Sequence, residues 1–184
     1  MHEPNFTQGK LTAIGLMSGT SMDGIDAAVL TSDGERIFTH GPVHERPYSQ
    51  KERRIICAAT NDAASLTARS TWPQSVIAAH QMITRTHVEA VRELLDLAGL
   101  AADEIDLVGF HGQTLIHRPQ TGFTLQVGDG AQMSADLTIP VVDQFRKADV
   151  AAGGQGAPLA PLYHQALLRQ SDLQMPVAVL NLGG

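Results

Sequence analysis

With 184 residues, of which 43% are hydrophobic, the chain is long enough for one well-packed core or the beginning of two. Its formal net charge of −6 and its pI near 5.7 argue against a general nucleic-acid binder, which needs a basic face to neutralise phosphates. The single cysteine, Cys57, excludes an internal disulfide and a cysteine-ligated zinc site, and it favours a reducing compartment.

The first ten residues, MHEPNFTQGK, contain an acidic residue and no apolar stretch, so no signal peptide is expected. Glycine and proline interrupt the longest uncharged runs, and none of these runs is long enough to span a bilayer. We therefore expect a cytoplasmic protein that acts on small molecules and not on nucleic acid or membranes.

Two antiparallel strands are predicted over residues 11–17 and 25–31, with a seven-residue connection from Ser18 to Gly24. The connection reads Ser-Gly-Thr-Ser-Met-Asp-Gly, although two residues would suffice to reverse the chain. Its glycines would let backbone N–H groups approach phosphate oxygens, its hydroxyls would donate further hydrogen bonds, and its carboxylate could hold a hydrated metal ion. Composition leaves two interpretations open: a phosphate-binding hairpin, or a wide loop whose hydroxyls satisfy local backbone groups.

The next segments alternate between strand and helix patterns, which predicts an α/β layer with ligands at the strand ends. Ser49, with Glu52 in the capping-box position, is expected to begin the first helix, and Gly99 is expected to end the second. A third strand, two helices and a fourth strand are predicted over 36–44, 49–60, 74–98 and 105–110.

The rest of the chain is predicted to contain paired segments, two helices and two strands. The last strand is apolar on both faces, needs neighbours on each side, and runs into Gly183-Gly184, so the sequence is expected to be the N-terminal piece of a longer protein. The predicted elements are pairing within 117–127, a helix over 130–137, a strand over 139–145, a glycine-rich loop over 150–158, a helix over 159–168 and a strand over 176–182.

Two further stretches carry candidate functional residues. His111-Gly112-Gln113-Thr114 follows the predicted fourth strand, where a histidine either contacts a ligand or satisfies local groups. Arg146, Asp149 and Gln155 lie in or beside a Gly-Gly-Gln-Gly stretch, and such groups suit a hydroxyl-rich sugar. The alternative for this second stretch is a glycine-rich connection between domains with charges on its surface.

A Walker A motif, GxxxxGK[ST], does not occur in the sequence, so a nucleotide site would have to use the backbone N–H groups of a β-hairpin, as in actin and the sugar kinases. Five motifs follow one another along the chain: SGTSMDGID at 18–26, GFHGQT at 109–114, TLQVGD at 124–129, FRKADVAAGGQGAPL at 145–159 and LNLGG at 180–184. In sequence and in order they resemble the motifs of the anhydro-N-acetylmuramic acid kinase family.

The resemblance implies an α/β, actin/hexokinase-like (ribonuclease H-like) first lobe with the opening strand of a second lobe. It implies a kinase that uses ATP and Mg²⁺ to phosphorylate the sugar oxygen at position 6 while water opens the anhydro bridge, giving N-acetylmuramic acid 6-phosphate for cell-wall recycling. The ATP phosphates would bind at Gly19, Thr20, Ser21, Met22, Asp23, Gly24, Ile25 and Asp26, with Asp23 or Asp26 holding the metal through water. The sugar would lie toward His111, Gln113, Arg146, Asp149 and Gln155, and Asn181, Gly183 and Gly184 would begin a second phosphate loop.

The sequence departs from the family pattern in two ways. The family's Gly-Asp-Phe-Arg is replaced by Asp-Gln-Phe-Arg at 143–146, and the downstream Asp-Thr-Gly-Pro-Gly-Asn motif, with the proposed water-activating Asp, is not part of the sequence. The expected divisions are a first lobe over 1–140, a substrate-side segment over 141–175 and the start of a second lobe over 176–184. We expect the chain to be inactive on its own. The alternatives to a kinase for this sugar are a non-catalytic phosphate-binding or sugar-binding domain and another sugar kinase of the same superfamily. The sequence leaves open whether the protein forms a homo-oligomer.

Overall fold

The computed structural model describes residues 9–174 and 176–180. A five-stranded sheet in the order β3-β2-β1-β4-β7 forms its centre, with antiparallel pairing among β1, β2 and β3 and parallel pairing of β4 with β1 and β7. The strands β5 and β6 form a separate antiparallel pair. The seven strands are β1 Leu11–Met17, β2 Gly24–Ser32, β3 Ile37–Pro47, β4 Leu107–Phe110, β5 Gln113–Arg118, β6 Phe123–Val127 and β7 Val141–Asp143.

Five helices accompany the strands. One of them, α2 (Gln74–Ala98), packs on one face of the large sheet, and α1 (Gln50–Ala63) packs against α2. Alternate residues of β1 and β2 are buried on that face, where α2 packs against α1, β2 and β3. The helices are α1 Gln50–Ala63, α2 Gln74–Ala98, α3 Gly130–Leu137, α4 Phe145–Ala151 and α5 Ala160–Arg169, with short 3₁₀ turns at Ala102–Glu104 and Pro119–Thr121.

The helix ends follow the sequence signals. The Ser49 side chain accepts a hydrogen bond from the Glu52 N–H while the Glu52 carboxylate accepts one from the Ser49 N–H, so the predicted capping box is confirmed. Gly99 adopts the left-handed conformation with φ of 64° and ends α2, as predicted. The α/β class and the first strands and helices are therefore confirmed.

Three predictions for the second half of the chain need correction. The strand predicted over 139–145 is limited to Val141–Asp143, because Gln144 turns into the left-handed region with φ of 56° and Phe145 begins a helix. The glycine-rich segment after it is therefore helical up to Ala151 before it becomes a loop.

The third correction concerns the strand predicted over 176–182. Residues 176–180 are not in a strand, and residues 181 and 182 lie outside the described residues. Val179 is 49% and Leu180 is 80% exposed, because an apolar run forms a buried strand only where a neighbouring strand and a covering layer are present.

Within the described residues, none of the helices combines the length and the apolar character needed to cross a membrane. The hydrophobic core lies between the large sheet and the pair α1 and α2, and its largest fully buried side chains include Phe110, Ile14 and Ile83. This core fixes the positions of the carboxyl ends of β1 and β4, where the candidate site lies.

Candidate functional site

The segment Ser18–Gly24 leaves the sheet at the end of β1 and returns to it at the start of β2. We call it the phosphate loop. Its first residue, Ser18, is 2% exposed, whereas Thr20, Ser21 and Asp23 are exposed. The N–H of Met22 donates to the Gly19 carbonyl at 3.1 Å and closes a tight turn. The loop therefore has a fixed base and an open tip.

The base of the loop requires glycine at its last position. A Cβ added to Gly24 would lie 2.5 Å from the Arg46 carbonyl oxygen on β3, which is backbone and cannot move aside easily. The next residue, Ile25, is fully buried in β2 and belongs to the core. Among the described residues that are predicted to bind ATP, it is the one that solvent does not reach.

Gln113 joins the phosphate loop to the segment that follows β4. It is fully buried, its amide nitrogen donates to the Gly19 carbonyl at 3.1 Å, and its amide oxygen accepts a hydrogen bond from the Ser18 hydroxyl. Both ends of this side chain thus bind the loop. The two motifs at 18–26 and 109–114, which are far apart in the sequence, form one structural unit.

Carboxylates concentrate negative charge beside the loop. Asp26 on β2 lies opposite Glu45 on β3 in the strand register. Burial raises the pKa of Asp26, and the negative charges of Glu45 and Asp23 contribute to the rise. Among the described residues no group of three metal-ligating side chains is present. Asp23 and Asp26 nevertheless fit a hydrated Mg²⁺, because carboxylate oxygens suit this ion and a cation would relieve the repulsion.

His111 lies directly after β4 and is 8% exposed. Its Nδ1–H donates to the Gly112 carbonyl at 2.7 Å, and its Nε2 accepts a hydrogen bond from Arg146 Nε at 2.6 Å. Burial lowers the pKa of His111, and the Arg146 cation lowers it further. The ring is therefore neutral at pH 7 and carries its proton on Nδ1.

The same arginine holds the glycine-rich loop. Arg146 Nη1 donates to the Gly156 carbonyl at 2.6 Å, and the Gly156 N–H donates to the Asp149 carboxylate at 2.6 Å. Helix α4 places both side chains one turn apart, so together they fix the loop against His111. Gln155 is exposed on this loop and does not share these contacts among the described residues.

Apart from Ile25 and Asp26 on β2 and the exposed Gln155, the residues predicted from the sequence fall into three groups. The first is the phosphate loop with Gln113, and the second is the cluster of His111, Arg146 and Asp149. The third, Asn181, Gly183 and Gly184, lies outside the described residues. Asp143, which departs from the family pattern, sits against Gly130 at the start of α3, where an added Cβ would collide with its carboxylate.

Sequence reasoning missed Tyr48. This residue is 4% exposed between β3 and α1, and its hydroxyl lies 2.9 Å from the Ser18 hydroxyl. The only sequence signal is its position between Pro47 and the helix cap Ser49, which fixes where the strand ends and the helix begins.

Residues 11–184 match the family model for anhydro-N-acetylmuramic acid kinase. Relatives that carry this name in Azorhizobium caulinodans, Methylobacterium nodulans and Rhodopseudomonas palustris are 52%, 50% and 48% identical to this chain. Each alignment covers 95% of this chain and between 47% and 49% of the relative. The chain therefore spans about half the length of the curated relatives it matches.

Proposed function

This chain belongs to the anhydro-N-acetylmuramic acid kinase family, and we propose that it supplies the first lobe of a kinase for that sugar. The γ-phosphoryl group of ATP is transferred to the oxygen at position 6 of anhydro-N-acetylmuramic acid. A water molecule adds to the acetal carbon and opens the anhydro bridge, which gives N-acetylmuramic acid 6-phosphate and ADP. The reaction would serve the recycling of cell-wall sugars in the cytoplasm.

The observation that carries this proposal is the hydrogen bond from Gln113 to the Gly19 carbonyl at 3.1 Å. It ties a loop suited to phosphate to the segment that begins with His111, which in turn contacts Arg146. A phosphoryl donor and a hydroxyl-rich acceptor must lie side by side for in-line transfer, and these contacts put groups suited to each on adjoining segments.

In the proposed site the phosphate loop holds ATP through Gly19, Thr20, Ser21, Met22, Asp23 and Gly24, with Ile25 and Asp26 behind it. Backbone N–H groups and exposed hydroxyls donate to the phosphate oxygens. Asp23 or Asp26 would hold Mg²⁺ through water, and the bound ion would supply positive charge to neutralise the phosphates.

On the sugar side, Arg146 and Asp149 order the glycine-rich loop. The neutral His111 has both ring nitrogens hydrogen-bonded here, so a direct hydrogen bond from His111 to the sugar stays a prediction. Gln155 extends from that loop toward solvent, where it can donate to and accept from sugar hydroxyls. Contact of the sugar with Gln113 stays a prediction, since both ends of its amide bind the phosphate loop here.

Because the chain spans about half the length of its relatives, we assign the general base to a part of the protein beyond Gly184. Asn181, Gly183 and Gly184 would begin the second phosphate loop. The 184 residues alone would then bind MgATP weakly and turn over no sugar.

Equilibrium titration of the chain with MgATP tests the loop assignment. Gly24→Ala is expected to weaken binding by about tenfold or more, the factor for 1.4 kcal/mol, because its Cβ forces the loop away from Arg46. The matched control is Gly15→Ala on β1, where among the described residues a Cβ meets no atom within 4 Å. Equal affinities of the two variants, or no binding by the unaltered chain at millimolar MgATP, would contradict the assignment.

A further inference from the structure

Tyr48 contacts both ends of the phosphate loop. Its backbone N–H donates to the Asp23 carbonyl at 2.9 Å, at the end of the loop, and its hydroxyl lies 2.9 Å from the Ser18 hydroxyl, at the start. Four residues of loop, Gly19 to Met22, lie between these two attachment points. A single residue outside the loop thus fixes the span that the loop must bridge.

The direction of the hydrogen bonds follows from counting protons. A serine hydroxyl has one proton to donate, and Ser18 donates it to the amide oxygen of Gln113. The bond between Ser18 and Tyr48 must therefore be donated by the tyrosine. The chain of bonds runs from Tyr48 through Ser18 to Gln113, and the Gln113 amide nitrogen then donates back to the Gly19 carbonyl.

Because the three side chains are buried, the loss of any of these hydrogen bonds is costly. Ser18 is 2%, Tyr48 4% and Gln113 0% exposed, so water cannot readily replace a bond that is lost. Burial also raises the pKa of Tyr48 to about 12, so its hydroxyl keeps its proton and stays a donor throughout the neutral range.

We propose that Tyr48 is a positioning residue that holds the phosphate loop in its ATP-binding shape through Ser18 and Gln113. Because Tyr48 is buried, we expect it to act through the loop and not by contact with ATP or sugar. It sets the direction of the loop's N–H groups, and through Gln113 it couples them to the segment carrying His111. The link to ATP rests on the proposed function, whereas the restraint on the loop does not.

Tyr48→Phe tests the inference, because it removes the hydroxyl and keeps the ring and the N–H bond to Asp23. The matched control is Tyr163→Phe at the only other tyrosine of the sequence, whose hydroxyl lies 3.1 Å from the exposed His40. Amide exchange measured by NMR without nucleotide reports on the loop through Met22, and Val108 in β4 reports on the core. MgATP affinity is measured on the same samples.

With Tyr48→Phe, Met22 exchange should become about fivefold faster relative to Val108, and MgATP affinity about fivefold weaker, as for the loss of one hydrogen bond. Tyr163→Phe should change neither. A role confined to global stability would instead accelerate Met22 and Val108 together and would overturn the inference, as would a Tyr48→Phe variant that behaves like the control.

Ser18→Ala provides a second test, because it breaks the same chain of bonds at its centre. The double variant Ser18→Ala with Tyr48→Phe should exchange at Met22 within about twofold of Ser18→Ala alone, whereas additive effects would contradict a shared path. If Tyr48→Phe does not fold, faster exchange at Met22 but not at Val108 in Ser18→Ala supports the restraint, and unchanged Met22 exchange overturns it. If the unaltered chain binds no MgATP, the proposed function fails while the exchange experiment still decides the restraint.

Discussion

His87 is a fully buried histidine in the middle of α2. Its Nδ1–H donates to the Ile83 carbonyl at 2.8 Å, and its ring packs edge-on against the Phe110 ring, with 5.0 Å between the ring centroids. Burial, with smaller contributions from the charges of Arg46 and His111, lowers the pKa of His87 to about 4. Among the described residues its Nε2 has no hydrogen-bond partner, so a proton added there would be buried and unpaired.

This histidine is expected to make stability depend on pH. Its pKa in the folded state is lower than the ordinary value of 6.5, so the unfolded state binds the proton first and the stability is lost as the pH falls from 6.5 toward 4. Through His87, the free energy of unfolding falls by about 3 kcal/mol at the acid end of this range. Urea unfolding at a series of pH values measures this decrease in the free energy of unfolding.

His87→Leu is the matching variant for this experiment, since it removes the titrating ring. We expect its free energy of unfolding to fall less steeply below pH 6.5 than that of the unaltered chain, with the remaining slope due to other groups such as His111. Identical slopes for the two proteins would show that His87 does not titrate as its burial requires.

At the residue scale, the sequence identified exposed and chemically distinctive groups better than buried partners. The glycines and hydroxyls of 18–24 and the position of His111 after a strand were recognisable from composition and order. Tyr48 was not, because its role depends on an approach to Ser18 that only the packing of β1, β3 and α1 creates.

Among the elements, α1 has the best defined beginning. Ser49 and Glu52 exchange hydrogen bonds at its first turn, with distances of 3.3 and 2.7 Å. Ser49→Ala is expected to lower the free energy of unfolding by about 1 kcal/mol, because the Glu52 N–H loses the Ser49 hydroxyl as its hydrogen-bond acceptor. Thermal or urea unfolding measures the change. Ser65→Ala, at an exposed serine after α1, is the control, and an equal effect of both substitutions would contradict the capping role.

Elements with a long repeat could be predicted closely, and short ones could not. The 25 residues of α2 show helical spacing from Gln74 to Ala98 and end at a glycine, so both bounds were recoverable. Helix α4 has seven residues, too few for a repeat, and it is held in place by the hydrogen bond of Arg146 to His111, which is remote in the sequence. The same absence of a local signal explains why the strand predicted over 139–145 was too long.

For the whole molecule, exposed apolar side chains concentrate at α5 and the segment after it. Leu162 is 73%, Leu173 60% and Leu180 80% exposed. Contiguous apolar surface favours association, so we expect the isolated chain to self-associate with rising concentration, as measured by sedimentation velocity. Leu162→Lys should weaken the association. The control is Leu97→Lys on α2, where the leucine is 72% exposed, and this variant should self-associate like the unaltered chain. An equal weakening of association by the two substitutions would argue against α5 as the contact.

We propose that this chain provides the phosphate loop and the sugar side of a kinase whose second lobe lies elsewhere in the protein. A chimaera of these 184 residues with the remaining half of the Azorhizobium caulinodans relative tests it most directly. Incubated with MgATP and anhydro-N-acetylmuramic acid, a folded chimaera should form N-acetylmuramic acid 6-phosphate, and the 184 residues alone should form none. A folded chimaera that binds MgATP but gives no product would favour a non-catalytic binder, and turnover by the 184 residues alone would contradict the division of the site between two lobes.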